Sequence, residues 1–474
     1  MSLSAEQMYA KVVSSDAAYD GQFYTGVLTT RIYCLPSCPA RTPKRENVRF
    51  FESPDAAEAC GLRACLRCKP RQWGEDDDLT VLETSVRELR AEPGAVEGVA
   101  AWAGQLGWTG ESLAHRCRRH FHASPSTLLQ RARIDRACGL LRDGVDSVET
   151  GFEVGYEATS AFYEAFRKGT GMTPHGYATL GRTPAFSFEL PPGYDTANWA
   201  AYVGRDPASP SERVEGSRVR LGANIGVPAL LELDLGPTVR CTVIGTEAPE
   251  HRFAAHARLV RMFGLRQPLA GFEKHLAEHP AVARLLPDGR ARPIPQTGDV
   301  AEGLVWAIVG QQVTVPFAST LRGRLTTEFG TPVAQGIIAP PGVAKLASLE
   351  LEQLRPLQLS TRKAEYVIGA SKAALAGEIA LDDLPYGSAT QAERALLALR
   401  GFGPWATNYL LMRACGFADC TPVGDTGLSM ALWRVLGLPE RPGPADVTRA
   451  MAAFAPYRSL ATYHLWRSLA HAEA

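Results

Sequence analysis

Four cysteines in two short-spaced pairs, Cys34-x3-Cys38 and Cys65-x2-Cys68, carry the plainest chemistry in this sequence. Each pair can grip one edge of a tetrahedral ion, and zinc suits four thiolates so arranged. Four unconnected buried cysteines, or a zinc knuckle with only a structural task, are the bland alternatives. A second centre lies in the stretch from Leu396 to Asp425, LLALRGFGPWATNYLLMRACGFADCTPVGD. Gly401-Phe402-Gly403 predicts a hairpin turn, because two glycines one residue apart reach backbone angles that other residues resist. Pro404 then stands where a helix accepts proline, at its first position. Such a turn offers backbone N–H groups to an anion, a DNA phosphate for example, although most such turns only connect helices. Trp405, Tyr409, Leu410, Met412 and Cys415 continue the helix, and Asp425 follows in the loop beyond. Taken alone, Asp425 before Thr426-Gly427-Leu428-Ser429 is a helix N-cap worth about 1 kcal/mol.

The elements that must position these groups follow from composition and periodicity. A chain of 474 residues, 45% apolar, should form several domains with real cores, roughly one per 100–200 residues. No run is long or pure enough to span a bilayer, and MSLSAEQMYAKVVSSDAAYD lacks the blocks of a signal peptide. A cytoplasmic protein without a membrane partner is expected, its ten cysteines thiols or metal ligands rather than disulfides. Net charge is formally zero, but unevenly spread: Glu111 to Arg142 holds seven arginines against Glu111 and Asp135, while Glu75 to Asp78 is an acidic linker. Thr80 to Arg90 reads as a polar helix. Phe152, Val154, Tyr156, Phe162, Phe166 and Tyr177 are spaced as core contacts, with Gly155 and Tyr156 at a turn between short helices. Ala95 to Trp108 is glycine-rich, which weakens a helix by roughly 1 kcal/mol per Gly. From Phe186 to Ile244 strand-like pieces, Ala229 to Leu235 and Val239 to Ile244 among them, predict a small antiparallel sheet with a helix after Asp195. From His251 onward the periodicity is helical, with no further strands.

Three resemblances add to this. The text YCLPSCPARTPKRENVRFF…ACLRCKPRQ, within Asp16 to Trp73, resembles the amino-terminal domain of Ada-type alkylation-repair proteins. That resemblance implies one zinc ion on Cys34, Cys38, Cys65 and Cys68, DNA contacts from Arg41 and Arg45, and Cys34 as acceptor of a methyl group from a DNA methylphosphotriester. Metal coordination would keep that sulfur a thiolate. Methylating one of four thiolates raises the formal charge of the centre from about −2 to about −1, which beside phosphates strengthens DNA binding and makes methylation a switch. Cys60 falls outside the pattern and is read as structural. ESLAHRCRRHFHASPSTLLQRARIDRACGLLRDG and SVETGFEVGYEATSAFYEAFRKGTGMTPHGY resemble an AraC-type double helix-turn-helix. The DNA-facing residues this implies are Glu111, Ser112, His115, Arg116 and Arg119 on one recognition helix, and Thr159, Ser160, Tyr163 and Glu164 on the other. A solvated arginine-rich face is the alternative for Arg116, Arg118 and Arg119.

LxxLRGFGPWAT followed by PVGDTGL resembles the helix-hairpin-helix DNA glycosylases. AIVGQQVTVPFASTLRGRL, LQLSTRKAEYVIGAS and APYRSLATYHLWRSLA narrow this to the 3-methyladenine glycosylase II (AlkA) type over most of residues 185–474. The resemblance implies Asp425 as the catalytic carboxylate, stabilising positive charge on the sugar as the base departs and orienting the attacking water. Trp405, Tyr409 and Trp466 match pocket positions that hold a cationic base by stacking and cation–π attraction, roughly 0.5–2 kcal/mol per contact. Each could instead be core. Gln312 matches the side chain that plugs the gap left by a flipped base. Gly401 and Gly403 would anchor a flanking phosphate, with a monovalent cation on the hairpin carbonyls. Lyase-competent relatives carry a lysine where Trp405 stands; tryptophan offers no nucleophile, so water must attack. No closing iron–sulfur cysteine set is present, and no Pro-Cys-His-Arg acceptor motif.

The expected architecture is multidomain α+β: a small zinc-binding α/β module (1–78), an all-α AraC-type double helix-turn-helix (79–182), a small antiparallel α/β domain (183–298) and all-α helix-hairpin-helix glycosylase lobes (299–474). The function expected is alkylation repair: a monofunctional glycosylase for alkylated purines, with a methyl-accepting zinc centre and a regulatory DNA-binding domain. Double-stranded DNA is the partner, RNA polymerase the further one an activator would meet, and a monomer is expected. The rival is a methylation-responsive activator whose glycosylase half is inactive.

Overall fold

A computed structural model describes residues 3–70, 77–286 and 288–472. The chain divides into two compact units, residues 1–82 and 83–474. Glu75 and Asp76 of the expected acidic linker, like Trp73, lie outside the described residues, and Asp77 already opens a helix.

In the first unit, α1 (Ala5–Val13) starts from a reciprocal cap in which Ser4 and Gln7 satisfy each other's backbone N–H. A four-stranded sheet follows in the order β3-β1-β2-β4: β1 (Tyr24–Val27), β2 (Ile32–Cys34), β3 (Val48–Phe51) and β4 (Arg63–Ala64), with α2 (Pro54–Ala59) between the last two. β1 pairs antiparallel with β2 and β3, whereas β2 and β4 are parallel, Tyr33 beside Ala64. Its core is small, Tyr24, Tyr33, Leu35, Phe51, Ala57 and Leu62. That is little for an independent fold, and a structural metal is the usual supplement at this size.

The second unit begins on α3 (Asp77–Ala91), longer than the expected helix, and α4 (Val99–Gln105), which forms despite Gly104. Then come α5 (Gly110–Phe121), α6 (Pro125–Arg142), α7 (Ser147–Glu153), α8 (Thr159–Thr170) and α9 (Pro174–Ala178). Thr109, Ser124, Asp146 and Thr173 cap α5, α6, α7 and α9, each accepting from a backbone N–H of the first turn. Val154, Phe162, Phe166 and Tyr177 are buried as expected, but Phe152 is 56% exposed. The seven-residue α7 turns Thr150 and Gly151 inward, where Gly151 lies against the Phe162 ring, so the side chain at 152 faces out.

The predicted sheet is present: β5 (Ala185–Glu189), β6 (Glu212–Glu215), β7 (Arg218–Asn224), β8 (Pro228–Asp234) and β9 (Thr238–Ile244), all antiparallel, in the order β5-β9-β8-β7-β6. Along β9 Val239, Cys241 and Val243 alternate inward, as a half-buried strand requires. Asp195 caps α10 (Thr196–Val203), and α11 (Pro249–Met262) follows the sheet. The core does not stop at residue 182. Ile134, Phe162, Phe166 and Tyr177 join Phe186, Phe188, Trp199, Val239 and Phe263 in one continuous cluster.

The rest is helical: α12 (Leu269–Glu278), α13 (Pro280–Ala283), α14 (Val300–Val309), α15 (Val315–Phe329), α16 (Val343–Ala347), α17 (Leu351–Leu354), α18 (Thr361–Leu375), α19 (Ala389–Ala398), α20 (Pro404–Leu410), α21 (Thr426–Leu436), α22 (Pro444–Met451) and α23 (Arg458–Ala472). One exception departs from the strand-free expectation. β10 (Thr331–Pro332) and β11 (Ile338–Ala339) pair antiparallel, a two-residue ladder too short to leave an alternation in the sequence. A second core runs from Phe272 to Leu465 beneath these helices. Among the described residues no helix is long and apolar enough to cross a membrane.

Candidate active site and DNA-facing surfaces

Asp425 sits where α20 and α21 meet. Pro404 occupies the first turn of α20, as its ring demands, and Gly403 is the N-cap. Gly401 has φ +96°, and a Cβ there would collide with the Tyr366 ring, so glycine is required twice over. Past Leu410 the helix widens into a π-turn over Leu411–Cys415, a distortion that often marks functional segments. The loop that follows is braced by Asn408, whose side chain donates to Glu393 (3.0 Å) and accepts from the Thr421 amide (3.2 Å).

The carboxylate is held by three donors. Oδ1 accepts from the Leu428 amide (2.7 Å), the N-cap bond, and from Trp466 Nε1 (3.0 Å); Oδ2 accepts from Trp405 Nε1 (3.0 Å). Capping and the aromatic setting therefore coexist at one side chain. The Trp405 and Tyr409 rings stack at 5.2 Å and 22°, and Tyr409 lies 6.2 Å from Trp466. All three rings are partly exposed rather than sealed in the core. Burial pushes the Tyr409 hydroxyl above its usual pKa; Arg205 opposes this and Asp425 adds to it. Beside the carboxylate a groove of about 310 Å³ opens, lined by Gly424, Thr426, Ser429, Arg441 and Val447 among others. A fixed, partly exposed anion among electron-rich rings can stabilise positive charge developing on a group that enters beside it.

Gln312 is exposed and adopts φ +54°, between α14 and α15. Its neighbour Gln311 donates to the Gly401 carbonyl (2.9 Å) and ties this loop to the hairpin. Val315 and Phe317 are exposed just beyond, at 63% and 39%.

Sequence patterns did not point to the side chains on the other flank of Tyr409. The Arg205 guanidinium lies 4.0 Å from the Tyr202 ring centroid and 5.0 Å from that of Trp306, which Arg322 approaches to 5.1 Å. Arg322 pairs with Glu212. These residues come from α10 and the turn after it, from β6, and from α14 and α15, far apart in the chain, so no local motif could announce them.

In the first unit, the parallel pairing of β2 with β4 delivers the two cysteine pairs to one place, Cys34 and Cys65 each following a paired residue. The sulfurs of Cys34, Cys38, Cys65 and Cys68 lie within 4.8 Å of one another. Without a metal the geometry favours a thiolate at one of the four: the Cys68 thiol is held down to about 6 by hydrogen bonds from Cys34 and from the Leu35 amide, whereas Cys34 rises as its partner in that sharing and burial pushes Cys38 up to about 11. Four such ligands fit one Zn²⁺, with the partly exposed Cys34 among them. Cys60 is exposed and stands outside the cluster. Arg41 is exposed, whereas Arg45 is bound to Glu6 (3.0 Å) and lies over Tyr9 and Phe50.

On α5, Glu111, His115, Arg118 and Arg119 are exposed. Arg116 instead lies over Trp108 at 4.5 Å and bonds Ser112. On α8, Thr159, Ser160 and Glu164 are exposed and Tyr163 is partly so.

Comparison with known proteins agrees with this division of chemistry. Residues 7–71 match the metal binding domain of Ada, 102–179 a helix-turn-helix domain, and 305–456 the HhH-GPD superfamily of base excision DNA repair proteins. The chain is 31% identical to the "Probable bifunctional transcriptional activator/DNA repair enzyme AlkA" of Mycobacterium tuberculosis, over 98% of this chain and 97% of that protein. It is 29% identical to the "Bifunctional transcriptional activator/DNA repair enzyme Ada" of Escherichia coli over 40% of this chain and 53% of that one. A 3-methyladenine DNA glycosylase from Archaeoglobus fulgidus shares the fold, with TM-score 0.52 and 21% identity over 59% of this chain and 97% of that one. Ada-type zinc cluster, helix-turn-helix and helix-hairpin-helix parts thus occur in one chain that belongs to the family of bifunctional transcriptional activator/DNA repair enzymes of the AlkA kind.

Proposed function

We propose that this protein repairs alkylated DNA in two ways and regulates in a third. The helical part (299–474), with the α/β domain (183–298), hydrolyses the N-glycosidic bond of alkylated purines such as 3-methyladenine and 7-methylguanine. Water attacks C1′, the bond to the base breaks with its electron pair leaving on the base, and the water proton passes to Asp425 or to solvent. Asp425 stabilises the cationic sugar meanwhile. The observation that carries this reading is the Asp425 carboxylate fixed by two indole N–H groups beside the Trp405–Tyr409 stack. Gln312 fills the gap in the duplex, and Gly401 and Gly403 bind the flanking phosphate, with a monovalent cation at the hairpin.

In the amino-terminal zinc module (1–78) bound zinc would keep cysteine sulfurs as thiolates. The Cys34 sulfur takes the methyl carbon of a methylphosphotriester; the C–O bond breaks and its electrons stay on the phosphate oxygen. Arg41 and Arg45 approach the same backbone. The helix-turn-helix part (79–182), with Arg116 and Arg119, makes the protein a regulator that meets RNA polymerase. It acts in the cytoplasm as a monomer.

Base release and strand nicking, measured on one methylated duplex, test the reading. Release of 3-methyladenine without nicking is expected, falling by two to three orders of magnitude in Asp425→Asn while DNA binding persists. Near-normal release by that variant refutes the catalytic assignment. Methyl uptake should disappear in Cys34→Ala.

A further inference from the structure

The helix-turn-helix helices are not a separate body strung beside the enzyme. Ile134, Phe162 and Phe166 share a core with the sheet residues Phe186 and Val239. Polar contacts lock the same seam: His256 Nε2 bonds the Thr170 carbonyl at 2.8 Å, Arg266 pairs with Asp135, and Arg167 with Glu189. A core of this kind fixes orientation, because close-packed side chains do not slide without opening voids.

The carboxy end of α5 is also tied down, to the helix that precedes the hairpin and to the loop beyond it. His120 Nδ1 meets Thr390 Oγ1 at 3.0 Å, at the start of α19. His122 lies edge-on to Phe417 at 5.7 Å, with its Nδ1 3.8 Å from Cys420 Sγ. α19 is the helix that leads into the Gly401–Gly403 hairpin. Its ten residues span about 15 Å, less than half of one duplex turn of about 34 Å. Arg118 and Arg119 are exposed on α5, and among the described residues neither is in an ion pair. These two cations have no carboxylate partner among the described residues, and their helix is fixed at the amino end of α19, about one helix length from the hairpin at its other end, so the flanking backbone of the same duplex is their fitting partner.

We infer that α5 is a fixed part of the DNA footprint of the glycosylase site, its Arg118 and Arg119 binding the phosphates that flank a lesion whatever the flanking sequence. The helix-turn-helix part then serves base excision as well as regulation. This rests on the glycosylase reading of Asp425.

The test uses the full chain and one lesion placed at the centre of a duplex of about 40 base pairs, or about three base pairs from one end of a short duplex of about 12, each end in turn. For the native protein kcat/KM should be larger on the long duplex than on the short one cut back on the α5 side, because three base pairs, about 10 Å, stop short of α5. In the double variant Arg118→Ala, Arg119→Ala this advantage should shrink about tenfold, and the log–log salt slope on the long duplex should fall by about two, one per lost phosphate contact. An unchanged long-to-short ratio overturns the inference, and so does an equal loss on both lengths, since then the flank is not what the arginines meet. A native protein that releases no base defeats the glycosylase reading instead. Backbone protection on the same long duplex still decides this inference in that case: protected phosphates to one side of the lesion, lost in the double variant, support it, and identical protection in both proteins sinks it.

Discussion

The two candidate centres of this chain, a thiolate cluster and a carboxylate, are built by opposite means. In the first unit four sulfurs come together through short spacings and one parallel strand pair, around a core of few side chains. In the second, one carboxylate is held by a loop, a helix start and two indoles above a core that runs through most of the helices. The cluster supports its own scaffold, whereas the carboxylate is supported by its scaffold. A metal-centred site therefore fails with its ion, and a packed site fails one interaction at a time.

Chelation is the strongest way to break that comparison. Structural zinc contributes on the order of 10–16 kcal/mol in small metal-folded domains, more than the six-residue core of the first unit can replace. Removing the ion should unfold residues 1–82 and abolish methyl uptake, while the helical unit keeps its circular dichroism and base release. Equal loss of both activities would mean that the units depend on one another.

Next in size is the pair of point changes read crosswise. Asp425→Asn should lower base release by two to three orders of magnitude and leave stoichiometric methyl uptake intact, and Cys34→Ala should do the reverse. Asparagine still caps a helix, so the melting temperature of the second unit should barely move in Asp425→Asn. A large drop would show that the second oxygen, which accepts an indole N–H that an amide nitrogen cannot, holds the fold as well as the chemistry.

Acid distinguishes the units too. The ten histidines all lie in the second unit. Desolvation holds half-buried His122 and buried His256 down to about 4 and buried His464 to about 3. Their folded pKa lies below the unfolded value near 6.5, so as pH falls through that value the unfolded chain takes protons that the native state refuses. Stability present at neutral pH is lost from about pH 6.5 down towards 4, at pH 5.5 by on the order of 1 kcal/mol per histidine. Calorimetry should show the second transition falling over that window irrespective of zinc. The first unit, which competes with protons through its thiolates, should be rescued by excess zinc. A second transition flat from pH 7 to 5 would remove buried neutral histidine from the account.

The same contrast explains what could be read from sequence. Cysteines spaced by two and three residues announce a tetrahedral site because ligand spacing is local, and β2 and β4 only have to bring two such pairs together. Gly401, Gly403, Pro404 and the capping role of Asp425 were legible for the same reason. The indole of Trp466 reaches Asp425 from 41 residues away, and only a family resemblance linked them in advance. Arg205 beside Trp306 left no signal at all. Periodicity marked Phe162 and Phe166 as buried but not what they are buried against, so the core continuing past residue 182 was invisible. Phe152 fails differently: in a seven-residue helix one position more or less turns a side chain from core to solvent.

The smallest expected effect is also the most diagnostic of how the carboxylate is held. Trp405→Phe and Trp466→Phe each keep a ring for stacking but remove one N–H from Asp425. Hydrogen bonds to a charged group contribute about 1.5–3 kcal/mol, but here a lost donor is partly replaced, because Asp425 is half exposed and water can reach it. Each variant should therefore lower the rate of base release by about three- to tenfold. If the indoles act by orienting the carboxylate, the loss should vanish when either substitution is made on top of Asp425→Asn, since no carboxylate remains to orient. If they act on the departing base by stacking, the loss should be the same in both backgrounds, and the three-donor arrangement at Asp425 would be a structural cap with aromatic neighbours rather than a positioned catalytic group.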